Sequence, residues 1–277
     1  MIKLVVIDLD GTLLNEEKRI PLENMTALKR ALQQGIHLSI STGRSYVSGR
    51  EFAENLSVSV PTSYQNGAVI LNHEKKPPEV LRKVLLGNEI ATRIVESAKR
   101  HGLTATVFRD SFSLPDMLMD RVPDSPYSDY YAKNEFRIRL VDDIREHLNS
   151  SGIIEISLEG EESRIITSLS ELDLDDSQVT VVKNNEIENH AFYEFLGPGV
   201  GKDYALRFLA DHLGISLSEV GFIGDNFNDL EAMQVAGLSI AMNNAPDEIK
   251  AVVDFVTKSS NDESGVAEAI DLIMAGG

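Results

Sequence analysis

Two aspartates near the start of the chain are the residues best suited to chemistry. They lie in the stretch KLVVIDLDGTLL at residues 3–14, where Asp8 ends an apolar run and Asp10 comes two residues later. A short apolar run that ends at a turn signal is typical of a buried strand in a parallel sheet, and ligands bind beyond the carboxyl ends of such strands. If the extended geometry continues, both carboxylates point the same way. Such a pair can hold a hard cation, and one carboxylate can attack while the other transfers protons.

A second acidic string, GDNFND at residues 224–229, follows another apolar run at residues 220–223. Asp225 stands at the end of this predicted strand as Asp8 does at the first, and Asp229 is four residues further on. Capping of the next helix would explain Asp225 or Asn228 singly. It does not explain the whole string in a chain that also contains DLDGT. Together the two strings predict a divalent-cation site.

A phosphate site would need local positive groups, because the chain has a formal net charge of −18. Thr42, Gly43 and Arg44 follow a predicted strand at residues 36–41 and precede a predicted helix. Such a corner presents backbone N–H groups to an anion, and Thr42 adds a hydroxyl. In isolation, however, a turn with a helix cap explains this tripeptide better than an anion site does.

Lys202 follows the glycine-rich run at residues 197–201 and precedes a predicted helix at residues 203–213. A P-loop is excluded, because it would have glycine at position 196 and serine or threonine at position 203, where this chain has Leu196 and Asp203. The prediction for Lys202 is therefore a single ammonium group directed at a phosphate or at paired carboxylates. An ordinary solvated lysine is the alternative.

In order along the chain, DLDGT, TGR, the lysine after a glycine turn and GDNFND resemble the motif set of the haloacid dehalogenase superfamily. The insertion between the second motif and the lysine is similar to the type IIB cap of the Cof-type phosphatases. That subfamily largely hydrolyses sugar phosphates and related phosphometabolites. The resemblance implies a Mg²⁺-dependent phosphatase that hydrolyses small phosphate monoesters through an aspartyl-phosphate intermediate.

The resemblance also implies a role for each motif residue. Asp8 would attack phosphorus, and Asp10 would protonate the leaving oxygen and then act as base for the hydrolytic water. Mg²⁺ would be held by Asp8, the backbone carbonyl of Asp10 and Asp225, with Asp229 in support. The groups implied for the phosphoryl oxygens are Thr42, Gly43, Lys202, Asn228 and, with less definition, Arg44, which reaches either the substrate or an acidic residue.

The elements that must position these residues predict an α/β fold. A Rossmann-like parallel-sheet core is expected from residues 1–83 and 191–277, with an inserted α+β cap at residues 84–190, where strands and helices lack a regular βαβ rhythm. Within the cap, the Pro- and Asp-rich residues 117–129 are predicted to form a surface loop, and residues 142–149 and 170–173 to be helical. Substrate selection is expected from residues 109–131 and 161–164.

Composition excludes several classes of protein. The 277 residues contain no cysteine, so disulfides, thiolate metal sites and a cysteine nucleophile are excluded. No apolar stretch approaches the ~20 residues of a membrane helix, and acidic residues interrupt the N-terminal apolar run too early for a signal peptide. The negative charge argues against nucleic acid and anionic membranes as partners. A cytoplasmic enzyme for a small phosphorylated metabolite is expected, and its oligomeric state is not predicted.

Two other functions are compatible with the motifs. A sugar-phosphate phosphotransferase or mutase would share the same residues, since transfer to water or to a sugar depends on closure of the cap. A non-catalytic phosphometabolite-binding protein would be expected to have lost part of the motif set, which is complete here. Dehalogenation is disfavoured because a halide leaving group needs no acid, and dehalogenases lack the aspartate at the Asp10 position and the metal.

Overall fold

The computed structural model describes residues 1–56, 58, 60–109, 112–149 and 152–276. They form two compact units. The core unit comprises Met1–Lys83 and Gly201–Gly277, and the inserted unit comprises Val84–Val200. Residues 110 and 111, within one segment predicted to select the substrate, lie outside the described residues.

Strands and helices occur in both units. The strands are β1 Leu4–Ile7, β2 His37–Ile40, β3 Thr62–Tyr64, β4 Val69–Asn72, β5 Glu79–Lys83, β6 Thr104–Arg109, β7 Met117–Met119, β8 Ile138–Leu140, β9 Ile153–Glu161, β10 Thr180–Ile187, β11 His190–Leu196, β12 Val220–Gly224, β13 Leu238–Ala241 and β14 Phe255–Val256. The α-helices are α1 Leu22–Gln33, α2 Tyr46–Leu56, α3 Asn88–Arg100, α4 Ser128–Lys133, α5 Glu162–Leu172, α6 Lys202–Leu213, α7 Leu230–Val235, α8 Asp247–Lys250 and α9 Gly265–Met274. β3, β4 and β5 of the core unit form a separate three-stranded sheet. Within the described ranges, no helix has the length and apolar character needed to span a bilayer.

The central sheet of the core unit has the order β14-β13-β12-β1-β2. All its neighbouring strands are parallel, and Val6 lies opposite Phe222 on one side and Ser39 on the other. The three central strands β1, β12 and β13 are fully buried, as expected when helices cover both faces of a parallel sheet. The predicted α/β fold with a parallel-sheet core is confirmed.

The alternation of side chains along β1 decides which face Asp8 occupies. Val5 and Ile7 belong to the apolar cluster that includes residues of α1 and α9, whereas Leu4 and Val6 belong to the cluster that includes residues of α6 and α7. Asp8 continues the row of Leu4 and Val6, because its backbone N–H still donates to the Ile223 carbonyl at 3.0 Å. The first aspartate therefore points toward the side of the sheet where α6 begins.

The inserted unit is built on a sheet of order β10-β11-β9-β6-β7-β8. Its strands pair antiparallel except for β7 and β8. Because of this sheet, the inserted unit ends at Val200 and not at the predicted residue 190. Nearly all of β11 falls in the predicted core range 191–277, but β11 pairs with β9 and β10. An isolated apolar strand carries no information about which sheet it will join.

Three local predictions in the inserted unit are wrong in part. The proposed loop at residues 117–129 contains the fully buried strand β7 and the start of α4, so its Pro and Asp residues flank an element that tertiary packing completes. The helix predicted at residues 142–149 is reduced to a 3-10 turn, Ile144–His147. The short helix at residues 170–173 is the end of the longer α5, whose first turn has mostly polar residues and gave no apolar signal.

Candidate active site

All the predicted site residues lie in the core unit, at the carboxyl ends of β1, β2 and β12 and at the first turn of α6. Lys202 is the centre of the arrangement. Its Nζ donates to Asp8 Oδ1 at 2.6 Å and to Asp229 Oδ1 at 2.5 Å, and its side chain is only 1% exposed. Burial and the charges of Asp229 and Asp225 raise the pKa of Asp8, although Lys202 opposes them. Lys202 itself has a raised pKa, because the two carboxylates outweigh the effect of burial.

Asp225 completes an acidic cluster with Asp8 and Asp229. One carboxylate oxygen from each of the three residues lies within 4.8 Å of the others. Asp225 Oδ1 accepts a hydrogen bond from the Thr12 hydroxyl at 2.6 Å. Burial and the charge of Asp229 raise the pKa of Asp225 to about 7. Two buried carboxylates and the half-buried carboxylate of Asp225 near one ammonium have excess negative charge, and oxygen ligands of this kind suit a hard divalent cation.

Asp229 differs from Asp8 and Asp225 in its hydrogen bonds. Its Oδ2 accepts the backbone N–H groups of Asp225 and Asn226 at 3.0 and 3.1 Å, and its Oδ1 is the partner of Lys202. The side chain is fully buried. Both oxygens are thus engaged in fixing the turn that carries Asp225 and in holding the lysine. Of the predicted metal residues, Asp229 fits a supporting role, and Asp8 and Asp225 fit direct coordination.

Asp10 does not share the surroundings of Asp8. The extended backbone ends at Asp8, because the Leu13 N–H turns back to donate to the Asp8 carbonyl at 3.2 Å. The Asp10 carboxylate accepts two hydrogen bonds from Arg44, at 2.6 and 2.7 Å, and lies 3.0 Å from Lys18 Nζ. Burial alone would raise the pKa of Asp10, but these cations lower it to about 2. The extended geometry on which a shared direction of the two carboxylates was conditional therefore does not continue from Asp8 to Asp10.

Hydrogen bonds donated by backbone N–H groups hold the Thr42–Arg44 corner in place. The Thr42 N–H donates to the Ser63 carbonyl at 3.0 Å, and Thr42 Oγ1 accepts from the Arg44 N–H at 3.1 Å. Thr42 is 1% exposed. Since Oγ1 accepts within the corner, the hydroxyl hydrogen can donate elsewhere. Arg44, for which the sequence left two partners open, pairs with the acidic Asp10, and its guanidinium lies 5.0 Å from the centre of the Phe52 ring.

Asn228 is linked to that corner through a residue to which sequence analysis gave no role. Asn228 Nδ2 donates to Asn66 Oδ1 at 3.1 Å, and a Cβ atom built on Gly43 would lie 3.4 Å from the same oxygen. Thr12 and Lys18 are further contacts that sequence reasoning missed. Thr12 could have been recognised as part of DLDGT, whereas Lys18 is an exposed lysine in a turn and its residue type gave no signal.

Gly11 lies against the Asp225 carboxylate, and its replacement tests the acidic cluster of Asp8, Asp225 and Asp229. It has a φ of +80°, and an added Cβ would lie 2.2 Å from Asp225 Oδ2. We expect Gly11→Ala to displace the Asp225 carboxylate and to weaken Mg²⁺ affinity by about 10- to 100-fold, as for other changes that misorient a ligand. Calorimetric titration of the protein with Mg²⁺ measures this.

The matched control is Gly35→Ala. Gly35 has nearly the same φ, +82°, but no atom within 4 Å of an added Cβ, so it has the backbone strain without the contact. We expect it to lose some thermal stability and to keep its Mg²⁺ affinity. Equal affinities of the two variants would mean that Gly11 is needed only for its backbone conformation, and would remove Asp225 as a ligand.

The chain is similar along nearly its whole length to haloacid dehalogenase-like hydrolases. The family model of the haloacid dehalogenase-like hydrolases matches residues 5–270. The 5-amino-6-(5-phospho-D-ribitylamino)uracil phosphatase YwtE of Bacillus subtilis is 31% identical, over 99% of this chain and 99% of the relative. A solved haloacid dehalogenase-like hydrolase from Bacteroides thetaiotaomicron is 29% identical over 99% of this chain and all of that chain, with a TM-score of 0.83. The subclass IIB sugar phosphatase BT4131 shares the fold, with a TM-score of 0.80 over 98% of this chain and 99% of that chain, at 23% identity.

Proposed function

The chain belongs to the haloacid dehalogenase-like hydrolase family, and we propose that it is a Mg²⁺-dependent enzyme that hydrolyses small phosphate monoesters through an aspartyl-phosphate on Asp8. Its relatives make it a phosphatase. The observation that carries the proposal is the pair of buried ion pairs that Lys202 makes with Asp8 and Asp229, beside Asp225.

Asp8 is the nucleophile. Its Oδ1 is bonded to Lys202, so the carboxylate is held in one orientation at the end of β1. In-line attack of a carboxylate oxygen on phosphorus forms the P–O bond to Asp8, and the ester oxygen leaves. Lys202 keeps its proton, because the charges around it raise its pKa, and it offsets part of the repulsion between the carboxylate and the phosphate.

The donor set fits Mg²⁺. Asp8 and Asp225 would supply carboxylate oxygens and the backbone carbonyl of Asp10 would be a third ligand, while Asp229 fixes the turn that carries Asp225. Bound there, Mg²⁺ would supply positive charge against the phosphoryl oxygens and allow an anionic nucleophile to approach an anionic ester. Burial raises the pKa of Asp225 most, and the negative charge of Asp229 raises it further; a bound cation would oppose this second effect.

Asp10 is assigned proton transfer. It would protonate the leaving oxygen of the ester and later accept a proton from the water that attacks the aspartyl-phosphate. With a pKa of about 2, the carboxyl carries no proton near neutral pH while Arg44 and Lys18 are bound to it. Its role as an acid therefore requires that it exchange these partners when the substrate arrives. Arg44 is the partner that the phosphoryl group would attract.

The phosphoryl oxygens are assigned to groups that border the acidic cluster. Thr42 has a hydroxyl hydrogen available, the Gly43 N–H lies in the same corner, and the Asn228 amide is linked to that corner through Asn66. With Lys202 they offer hydrogen bonds to charge that is shared over the transferring group. Arg44 joins them once it leaves Asp10.

The substrate class is proposed from the relatives. The name of YwtE describes a phosphate ester on a ribityl chain, and BT4131 is called a sugar phosphatase. A sugar or sugar-alcohol phosphate is therefore proposed here as well, and the inserted unit is assigned its selection. Phosphate release from sugar phosphates, sugar-alcohol phosphates, nucleotides and p-nitrophenyl phosphate tests this.

The expected result is release that requires Mg²⁺, is lost in EDTA and returns when Mg²⁺ is added back, with sugar or sugar-alcohol phosphates as the best substrates. Release that persists in EDTA would contradict the metal site. Release only in the presence of a bisphosphorylated sugar, with transfer to a second sugar, would show a mutase instead.

A further inference from the structure

The segment Gln65–Gly67 has an unusual backbone in the core unit. The φ angles of Gln65, Asn66 and Gly67 are +47°, +53° and +99°, and all three residues are buried. Left-handed conformations are unfavourable for residues with a side chain, although asparagine tolerates them better than most. A consecutive pair of non-glycine residues in this region persists only where surrounding contacts determine it.

Those contacts join the segment to the phosphate-binding corner. The Gln65 N–H donates to the Arg44 carbonyl and the Asn66 N–H to the Thr42 carbonyl, both at 3.0 Å. Asn66 is 1% exposed. The backbone of the segment is therefore fixed against the same loop that supplies the Thr42 hydroxyl and the Gly43 N–H.

Gly67 joins the segment to the lysine. A Cβ atom on Gly67 would lie 2.6 Å from the carbonyl oxygen of Gly201, the residue before α6, and 3.4 Å from the Ala205 Cβ. Only glycine allows the segment to approach the start of the helix that carries Lys202 so closely. Two of the predicted motifs, TGR and the glycine turn before Lys202, thus contact the same three residues.

The Asn66 side chain links the segment to GDNFND, the motif that contains Asn228. Its Oδ1 accepts one hydrogen of the Asn228 amide, at 3.1 Å. An amide nitrogen has two hydrogens, so the other remains to donate. Without an acceptor at Asn66, the Asn228 side chain could rotate, and its oxygen could equally face the phosphate, where it would repel the phosphoryl oxygens.

We propose that Asn66 is a positioning residue, which orients the Asn228 amide so that its second N–H donates to the phosphoryl group. The inference rests on the proposed function, because it takes the phosphate site from it. Asn66 does not itself touch the reacting atoms in this role. It adds a residue outside the four motifs to the machinery, and it explains why asparagine rather than glycine occupies a left-handed position there.

The test is Asn66→Gly. Glycine adopts the same backbone conformation without strain, so the substitution removes the amide and leaves the loop able to form. We expect kcat/KM for the best ester to fall about tenfold, mainly through KM, and the Kd of inorganic phosphate in the presence of Mg²⁺ to rise about tenfold, as for loss of one hydrogen bond. Calorimetry measures the Kd, and steady-state kinetics separates KM from kcat.

A double-mutant cycle with Asn228→Ala distinguishes positioning from a general structural effect. If Asn66 acts through Asn228, Asn66→Gly has little further effect on kcat/KM or on phosphate affinity once Asn228 is alanine. The matched control is Asp173→Gly in the inserted unit, because Asp173 is also left-handed, with a φ of +45°, and exposed. We expect its kinetics and phosphate affinity to equal those of the wild type.

The possible failures can be told apart. Effects of Asn66→Gly and Asn228→Ala that multiply, or an Asn66→Gly variant with wild-type phosphate affinity, would overturn the positioning role while leaving the phosphatase intact. A wild-type protein that binds inorganic phosphate but releases none from any ester would overturn the proposed function, and the binding cycle would still decide the role of Asn66. A wild-type protein that does neither would overturn both.

Discussion

Asp8→Asn is expected to reduce phosphate release by about 10⁴-fold or more, because it replaces the attacking carboxylate oxygen with an amide of nearly the same shape. The substitution keeps an acceptor for the Lys202 ammonium, which lies 2.6 Å from Asp8 Oδ1. It also removes one of three mutually repelling carboxylates, so a loss of folding is not expected. Steady-state phosphate release and a thermal melt of the same preparation measure both effects.

The intermediate can be detected independently of turnover. Borohydride reduces an aspartyl-phosphate to homoserine, so the wild-type protein, treated during reaction, should contain a reduced residue in the peptide with Asp8. Asp8→Asn should show none. The control Asp271→Asn makes the same chemical change at an exposed aspartate that pairs with Arg30, and we expect it to retain full activity. Reduction at another aspartate would identify a different nucleophile.

Lys202→Met is expected to impair both activity and stability. Methionine fills a similar volume but leaves Asp8 and Asp229 without the ammonium that lies within 2.6 Å of each. Breaking a buried ion pair by removing one partner costs about 3–5 kcal/mol in the free energy of unfolding. Loss of a positive group at the phosphoryl site should lower kcat by about 10²- to 10³-fold.

The stability loss should depend on the metal. Mg²⁺ bound to the same carboxylates would replace part of the missing charge, so the unfolding transition of Lys202→Met should recover more on addition of Mg²⁺ than that of the wild type. Denaturant unfolding in EDTA and in Mg²⁺ measures the difference. The matched control is Lys3→Met, which breaks the exposed pair with Glu219 and should change stability little. Equal stability losses for the two variants would contradict the arrangement at Lys202.

Much of the core fold could be predicted because its signals are local. β1 and β12 are short apolar runs and β2 alternates polar and apolar residues, and each strand leads into the glycine, hydroxyl or acidic residues of the site. The inserted unit was predicted less well. β7 has three residues within a Pro- and Asp-rich stretch, and α5 begins with mostly polar residues. Both elements contribute residues to the apolar cluster of the inserted unit, and they form because of this packing rather than because of their own composition.

The amino-acid sequence by itself determined which groups are available for the chemistry: two acidic strings at strand ends, a hydroxyl–glycine–arginine corner and a lysine at a helix start. Residue type and spacing along one strand or turn are local, and local rules of strand and helix geometry were enough to read them. Only the tertiary structure decided the partners. It bonds Lys202 to Asp8 and Asp229 rather than to one of them, gives Asp10 to Arg44 and Lys18, and joins Asn228 to Asn66 across 162 positions of sequence. These contacts link segments far apart in the chain, and their distances follow from the packing of whole elements, which no local pattern encodes.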